Sequence, residues 1–237
     1  MKGVLDHGAG DGVQWGLGGR RMPVNLKNFA LFEGVPDDEL RPLVERTVMR
    51  SFPKQAIIIN EGDIGDSLFM VVAGRVKVYL SDEHGKELIL SIKGPGQYFG
   101  ELALDENLRS ASVMTLEPSQ FAVLPRAEFK TFVLLHAEVA MRLFQNLARV
   151  ARGMNDNVRS LAMMDVYGRV ARMLLELAVE KDGKMIIPER LTQKDIASRV
   201  GASREMVSLI LKDLTAGGYI RQEGQTIVIE RTPPPRW

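Results

Sequence analysis

Leu191-Thr192-Gln193-Lys194-Asp195-Ile196-Ala197-Ser198-Arg199-Val200-Gly201-Ala202-Ser203-Arg204-Glu205-Met206-Val207-Ser208 reads as two short helices joined by a tight turn. Thr192 precedes a run of helix formers and is placed to take an exposed backbone N–H as an N-cap. Asp195, at the third helical position, complements the positive end of the helix dipole. Gly201 breaks that helix within Val200-Gly201-Ala202. Ser203 caps the next helix, which the pattern carries from Arg204 to about Leu214 before Gly217-Gly218 stops it. Two short helices on such a turn form a helix-turn-helix. Between residues 190 and 212, Arg190, Lys194, Arg199, Arg204 and Lys212 stand against only Asp195 and Glu205, a local excess of three positive charges.

Working outward, Tyr219-Ile220, Gly224-Gln225 and Ile227-Val228-Ile229 predict a small hairpin or wing, and Thr232-Pro233-Pro234-Pro235-Arg236-Trp237 an extended tail. Upstream, Val166–Val179 carries the pattern of an amphipathic helix that Lys181-Asp182-Gly183-Lys184 ends. Residues 126–163 contain no proline and a single glycine, Gly153. A helix from about Ala137 to Met163 would be roughly 40 Å long at 1.5 Å per residue. Along it Leu143, Leu147, Val150, Met154, Asn157 and Leu161 are spaced 4, 3, 4, 3 and 4, a heptad seam. Two readings of this seam stand: a stripe facing the core of its own subunit, or a two-stranded dimer interface on which Asn157 would fix the register. The dimer is preferred, because so long a rod cannot bury both sides against one small barrel.

From Phe29 to about Pro125, short apolar runs alternate with glycine turns. Ile57-Ile58-Ile59 precedes Glu61-Gly62-Asp63, and Leu68-Phe69-Met70-Val71-Val72 precedes Ala73-Gly74. Val76, Val78 and Leu80 alternate with Lys77 and Tyr79, the period of a half-buried strand. Strands this short at roughly ten-residue spacing predict a small barrel or sandwich.

The chain has 237 residues, about right for two domains, with 45% hydrophobic and 26% charged side chains. Its formal net charge of +1 favours no class of partner. Residues 161–237 carry 12 basic and 10 acidic side chains against 19 and 20 in residues 1–160, too small an asymmetry to argue nucleic-acid binding. No cysteine is present, which excludes disulfides, thiolate zinc sites, cysteine-ligated iron–sulfur clusters and cysteine nucleophiles. Three histidines, His7, His84 and His136, are scattered in sequence, and no metal is expected. No zinc-protease helix pair, nucleophile elbow or phosphate loop occurs, so the chain is not expected to be an enzyme. No apolar run approaches a membrane span and no signal-peptide core is seen, so a cytoplasmic protein without a membrane partner is expected. Residues 1–21 hold seven glycines and no period, and residues 1–24 are expected to be a flexible extension.

One segment is built for ligand chemistry. Phe99-Gly100-Glu101-Leu102-Ala103-Leu104, followed by Arg109-Ser110-Ala111-Ser112, places a close-approach glycine and the start of a short helix near a fixed guanidinium. Arg109 is suited to a phosphate and Ser110 adds a donor, while Glu101 can accept from a ribose hydroxyl. Taken alone, a Glu and an Arg at this spacing are more often a surface ion pair.

Residues 25–231 resemble the bacterial cyclic-AMP receptor protein and fumarate–nitrate regulator family of transcription factors. Glu61-Gly62-Asp63, Leu68 and Gly74-x-Val76 look like its cyclic-nucleotide-binding barrel, and Gly100-Glu101-Leu102-Ala103 with Arg109-Ser110-Ala111 like its phosphate-binding cassette. Leu161-Ala162-Met163-Met164-Asp165-Val166-x-Gly168-Arg169-Val170 resembles the stretch after its dimer helix, and Ser203–Ser208 its recognition helix. The resemblance implies an α+β fold: a jelly-roll effector domain over residues 25–136, a dimerisation helix over 137–163 and a winged helix-turn-helix over 164–237.

It further implies a homodimeric, DNA-binding regulator controlled by a cyclic nucleotide, with RNA polymerase as a further partner. Gly100, Leu102, Ala103, Arg109 and Ser110 would hold the cyclic phosphate and Glu101 the ribose 2′-hydroxyl. The family's Thr-Ser base reader falls on Met154-Asn155, so Asn155 alone could hydrogen-bond a base. That departure leaves cyclic AMP, slightly favoured, beside cyclic di-GMP, which some relatives bind. A constitutive DNA-binding protein with an empty structural barrel is the remaining alternative. On the DNA side, Thr192, Lys194 and Ser203 would position the backbone, Arg204 would read guanine and Glu205 cytosine, with Ser208 also at the interface. Leu209 stands where relatives often place a second arginine.

Overall fold

The computed structural model describes residues 24–105, 107–224 and 226–234. The extension expected over residues 1–24 and the end of the tail therefore lie outside the described residues, apart from Val24. Eight antiparallel strands form two facing four-stranded sheets. One holds β1 (Val48–Phe52), β8 (Ser119–Pro125), β3 (Ser67–Ala73) and β6 (Tyr98–Phe99) in that order. The other holds β2 (Ile57–Ile59), β7 (Ser112–Thr115), β4 (Val76–Ser81) and β5 (Glu87–Lys93). This is the sandwich the strand spacing predicts, in the jelly-roll form the family resemblance implies.

The nearly unbroken apolar run in β3 is explained by burial on both faces. Phe69 and Val71, with Phe121 and Val123 of β8, point between the sheets. Leu68 and Met70, with Ala122 and Leu124, point outward beneath a helical layer. Between the sheets Phe69 stacks on Phe99 at 5.2 Å, and both present edges to Phe121. Each such pair adds about 0.5–1.5 kcal/mol beyond area burial.

The helical layer comprises α1 (Asp37–Arg46), α2 (Arg126–Leu135), two 3-10 turns (Leu26–Asn28 and Ala30–Phe32) and the first turns of α3 (Ala137–Met163). Helix α3 has the ends expected of the long helix. Its heptad seam, however, takes the first of the two readings. Leu143 is buried in the layer beneath α1 and α2, Leu147 packs against it, and Val150, Met154 and Asn157 face the barrel. The free stripe is its neighbour, offset by one residue: Phe144, Ala148, Ala151, Asn155, Val158 and Ala162, also spaced 4, 3, 4, 3 and 4. Phe144 and Val158 are 65% and 64% exposed. A seam stands out in sequence as a line of residues at heptad spacing, but nothing in the spacing says which surface that line meets.

The C-terminal part packs α4 (Val166–Leu177), α5 (Gln193–Val200) and α6 (Arg204–Ala216) against one antiparallel sheet. That sheet runs β11 (Ile220–Glu223), β12 (Thr226–Ile229), β10 (Lys184–Ile187) and β9 (Val179–Lys181). The wing is thus joined by a second hairpin where the sequence reading saw only a helix end. Asp182 at φ +51° and Gly183 at φ +75° make the two left-handed residues that a tight hairpin turn requires. Asp165 caps α4 by accepting from the Gly168 N–H at 2.7 Å. Arg169 then donates to the carbonyls of Met164 and Val200, tying the end of α5 to the chain after α3. Arg199 of α5 makes a bidentate pair with Glu189 (2.7 and 3.2 Å), and Glu189 also meets Arg75 of the barrel at 3.4 Å. Among the described residues no helix is long and apolar enough to cross a membrane.

Candidate functional site

A cavity of about 360 Å³ lies between the barrel and α3, within the range of small-molecule sites. Its walls are apolar: Ile59, Val78, Leu90, Phe99 and Val113 from the strands, and Val150 and Met154 from the helix. Its polar lining comes from Ser91, Lys93, Glu101, Arg109 and Ser110 on the barrel side and from Asn157 on α3.

The local fold explains how Arg109 is held. Its backbone N–H donates to Asp63 at 2.8 Å and its carbonyl accepts from Gly62 at 2.8 Å, so the Glu61-Gly62-Asp63 turn clamps it on both sides. The guanidinium is buried and donates to the Gly100 carbonyl at 3.0 Å and the Ser67 carbonyl at 2.8 Å. Among the described residues it pairs with the exposed carboxylate of Asp66 at 4.0 Å. Burial draws its pKa down, opposed by the charges of Asp66, Glu101 and Asp63. An arginine keeps its charge regardless, and of its five N–H donors these two bonds leave three free.

Gly100 is required at its position. Its φ of +85° is left-handed, and an added Cβ would stand 2.7 Å from the Arg109 guanidinium and 3.0 Å from the Ser67 carbonyl. The expected short helix follows as a 3-10 turn, Glu101–Asp105, which contains Leu102 and Ala103; Leu102 is half exposed at the cavity edge. Burial pushes the Glu101 carboxyl up, against the opposing pull of its own backbone N–H, Lys93 and Arg109. Tyr98, at the adjacent strand end, is pushed up to about 12 by burial and by the Glu101 charge.

Of the residues assigned to the ligand from sequence, Gly100, Glu101, Leu102, Arg109 and Ser110 converge on this cavity. Asn155 does not line it; Asn157 does, two residues further along α3. Alignment by motif carried Asn155 onto the free stripe, and the 100° step per residue explains the difference. Lys93 and Ser91 of β5 were missed, because a strand residue in a half-buried run carries no motif.

On the other domain, Thr192 and Asp195 form a complete capping box. The Asp195 N–H donates to the Thr192 hydroxyl at 3.1 Å, and the Thr192 N–H to the Asp195 carboxylate at 2.8 Å. Gly201 ends α5 in the left-handed conformation, and the Ser203 hydroxyl caps α6 by accepting from the Met206 N–H at 3.2 Å. Arg204, Glu205 and Lys194 are exposed. Ser208 is half-buried and accepts from the Gln193 amide at 3.3 Å, so it ties the two helices together.

Two family models match the chain: a cyclic nucleotide-binding domain over residues 49–136 and a Crp-like helix-turn-helix domain over 168–233. A CRP-like cAMP-activated global transcriptional regulator of Mycobacterium tuberculosis is 34% identical over 209 residues, covering 86% of this chain and 93% of that protein. The chain belongs to the CRP/FNR family. It is therefore a DNA-binding transcriptional regulator with a cyclic-nucleotide-binding domain, in a family of regulators rather than enzymes. The cAMP-activated global regulator CRP of Salmonella typhimurium is also 34% identical, over 83% of this chain and 96% of its own length. The c-di-GMP responsive regulator CLP of Xanthomonas campestris shares the CRP/FNR fold with a TM-score of 0.70 at 24% identity, covering 83% of this chain and all of that one.

Proposed function

We propose that the chain is a cytoplasmic homodimer whose operator binding is switched by a cyclic mononucleotide, with cyclic AMP as the first candidate. The observation that carries this is the buried guanidinium of Arg109, which with Glu101 lines an apolar cavity between the barrel and α3. Arg109 and Ser110 take the cyclic phosphate, the Gly100 backbone allows its approach, Leu102 and the backbone turn through Ala103 border it, and Glu101 accepts from the ribose hydroxyl. Asn157 meets the base. One guanidinium anchor suits one phosphate, and the curated relatives named above are cAMP-activated, which both favour the mononucleotide over cyclic di-GMP.

The free stripe of α3 is the dimer face in this reading, with Asn155 as its polar register residue. Two recognition helices then meet successive major grooves about 34 Å apart on a near-palindrome. Lys194 and the caps Thr192 and Ser203 position the backbone, Arg204 and Glu205 read base edges, and Ser208 steadies α6. RNA polymerase is the further partner. Leu90 and Asn157 line both the ligand cavity and a smaller one among β5, α3, α4 and α5, which gives the ligand a contact at the junction with the DNA-binding helices. The ligand shifts the regulator only by its differential affinity for the DNA-competent arrangement.

A second reading rests on the Arg109 bonds to Gly100 and Ser67, which are also what a purely structural arginine would make: a barrel that binds nothing. Calorimetric titration with cyclic AMP, cyclic GMP and cyclic di-GMP decides. One mononucleotide per chain supports the proposal, binding of cyclic di-GMP alone replaces the effector, and no heat from any of them leaves the constitutive reading.

Two further outcomes are expected. Arg204→Ala costs about 1–3 kcal/mol on the operator and relaxes preference at one base pair. Competition binding against operators permuted base by base checks this, and an equal loss on all of them would make Arg204 a phosphate contact. Glu101→Gln melts higher than the wild type at neutral pH yet binds the nucleotide more weakly. Below the ordinary carboxylate range Glu101 is protonated in both folded and unfolded chains, so the two proteins melt alike. As pH rises, the unfolded carboxyl ionises first, and the wild type loses stability until its raised folded pKa is passed. Melting curves from pH 4 to 8 read the difference; parallel curves would show that Glu101 carries no burial cost.

A further inference from the structure

Away from the nucleotide cavity, three side chains from two distant parts of the chain converge on one point. Glu39 lies in the first turn of α1, Glu138 in the first turn of α3, and His136 is the residue between α2 and α3. The His136 Nδ1 stands 3.1 Å from a Glu39 carboxylate oxygen and 3.4 Å from one of Glu138. The three candidate ligand atoms all lie within 4.8 Å of one another.

We infer that Glu39, His136 and Glu138 form a binding site for a first-row divalent cation of the zinc type. Two ligands bound at about 2.0–2.2 Å with a tetrahedral angle stand about 3.3–3.6 Å apart, which is close to the separations found around Nδ1. The donor set selects the metal class: imidazole suits zinc and its neighbours, whereas magnesium and calcium take oxygen ligands alone. The imidazole is preorganised. Its ring stacks on Phe132 at 3.9 Å, its side chain is 15% exposed, and its backbone N–H donates to the Phe132 carbonyl. The carboxylates are 44% and 49% exposed, which leaves an entry path and room for a water as fourth ligand. Helix dipoles favour an acidic residue in each first turn, but they do not require both to meet one imidazole nitrogen. A bound ion would fasten α1 to the bend from which the long helix starts. The sequence reading expected no metal because the three histidines are scattered and cysteine is absent, and it did not weigh Glu39 and Glu138 beside His136.

The test uses the full-length protein, stripped with a chelator and titrated calorimetrically with zinc chloride, with cobalt(II) absorption as a second probe. The expected result is one zinc per chain with micromolar or tighter affinity, a visible tetrahedral cobalt band, and a melting temperature raised by about 5 °C or more at a hundredfold excess over Kd. His136→Gln and, separately, Glu138→Gln, which changes only an exposed side chain, should each weaken zinc binding at least tenfold and abolish the cobalt band. Absence of stoichiometric binding, or binding that survives both substitutions, overturns the site and leaves His136 as an ion-pair partner of the two carboxylates.

Discussion

Arg109→Ala is expected to lose at least about 100-fold in nucleotide affinity and, with it, nucleotide-dependent operator binding. Hydrogen bonds to charged groups contribute about 1.5–3 kcal/mol each, and a phosphate can take two of the three N–H donors that Arg109 has free. The side chain also satisfies the Gly100 and Ser67 carbonyls, so its removal strands two partly buried acceptors and lowers stability by about 1–3 kcal/mol. Calorimetry with cyclic AMP, paired with a melting curve of the same protein, separates the two effects. A variant that melts lower but binds nucleotide as the wild type does would reduce Arg109 to a structural brace. Unchanged operator binding with and without nucleotide in both proteins would favour the constitutive regulator.

Val158→Asp is expected to produce a monomer that still binds nucleotide but has lost operator affinity by about 100-fold or more. Val158 is 64% exposed on the free stripe of α3, so the change touches no packed side of its own chain. A like charge placed twice across a symmetric seam, in a position that would otherwise be apolar, disfavours pairing. Linking two half-site readers gives about 10²–10⁴ in avidity, and that gain disappears with the dimer. Sedimentation and a titration of labelled operator check both parts. A dimer that persists would place the interface elsewhere on the chain.

What was legible in the sequence was whatever local chemistry decides. Thr192, Gly201 and Ser203 announce the ends of two helices because capping is settled within a turn of the cap itself. The apolar run Leu68–Val72 announces a strand, and its burial on both faces came with the fold. Gly100 and Arg109 could be picked out because glycine admits a close backbone approach and arginine suits a phosphate, and because the family resemblance falls on both. What was not legible depended on partners distant in the chain. The hairpin at Asp182-Gly183 was legible in principle, since Asp-Gly is a strong two-residue hairpin signal, although the sequence reading ends a helix there; only the pairing of β10 with β12 needed the fold. The seam on α3 was read correctly as a line but its preferred partner, a second subunit, was the wrong one, since two adjacent lines satisfy the same spacing and this one faces its own barrel. The meeting of Glu39 with His136 is invisible until α1 is laid against the end of α2.

The two stripes of α3 are made of consecutive residues: 143 with 144, 147 with 148, 150 with 151, 154 with 155, 157 with 158 and 161 with 162. Val150, Met154 and Asn157, which line the cavity, are each covalently joined to a residue of the free face. In the proposed dimer, a backbone shift of α3 that retunes the pocket therefore also moves the pairing face, so ligand choice and subunit pairing are coupled through one helix.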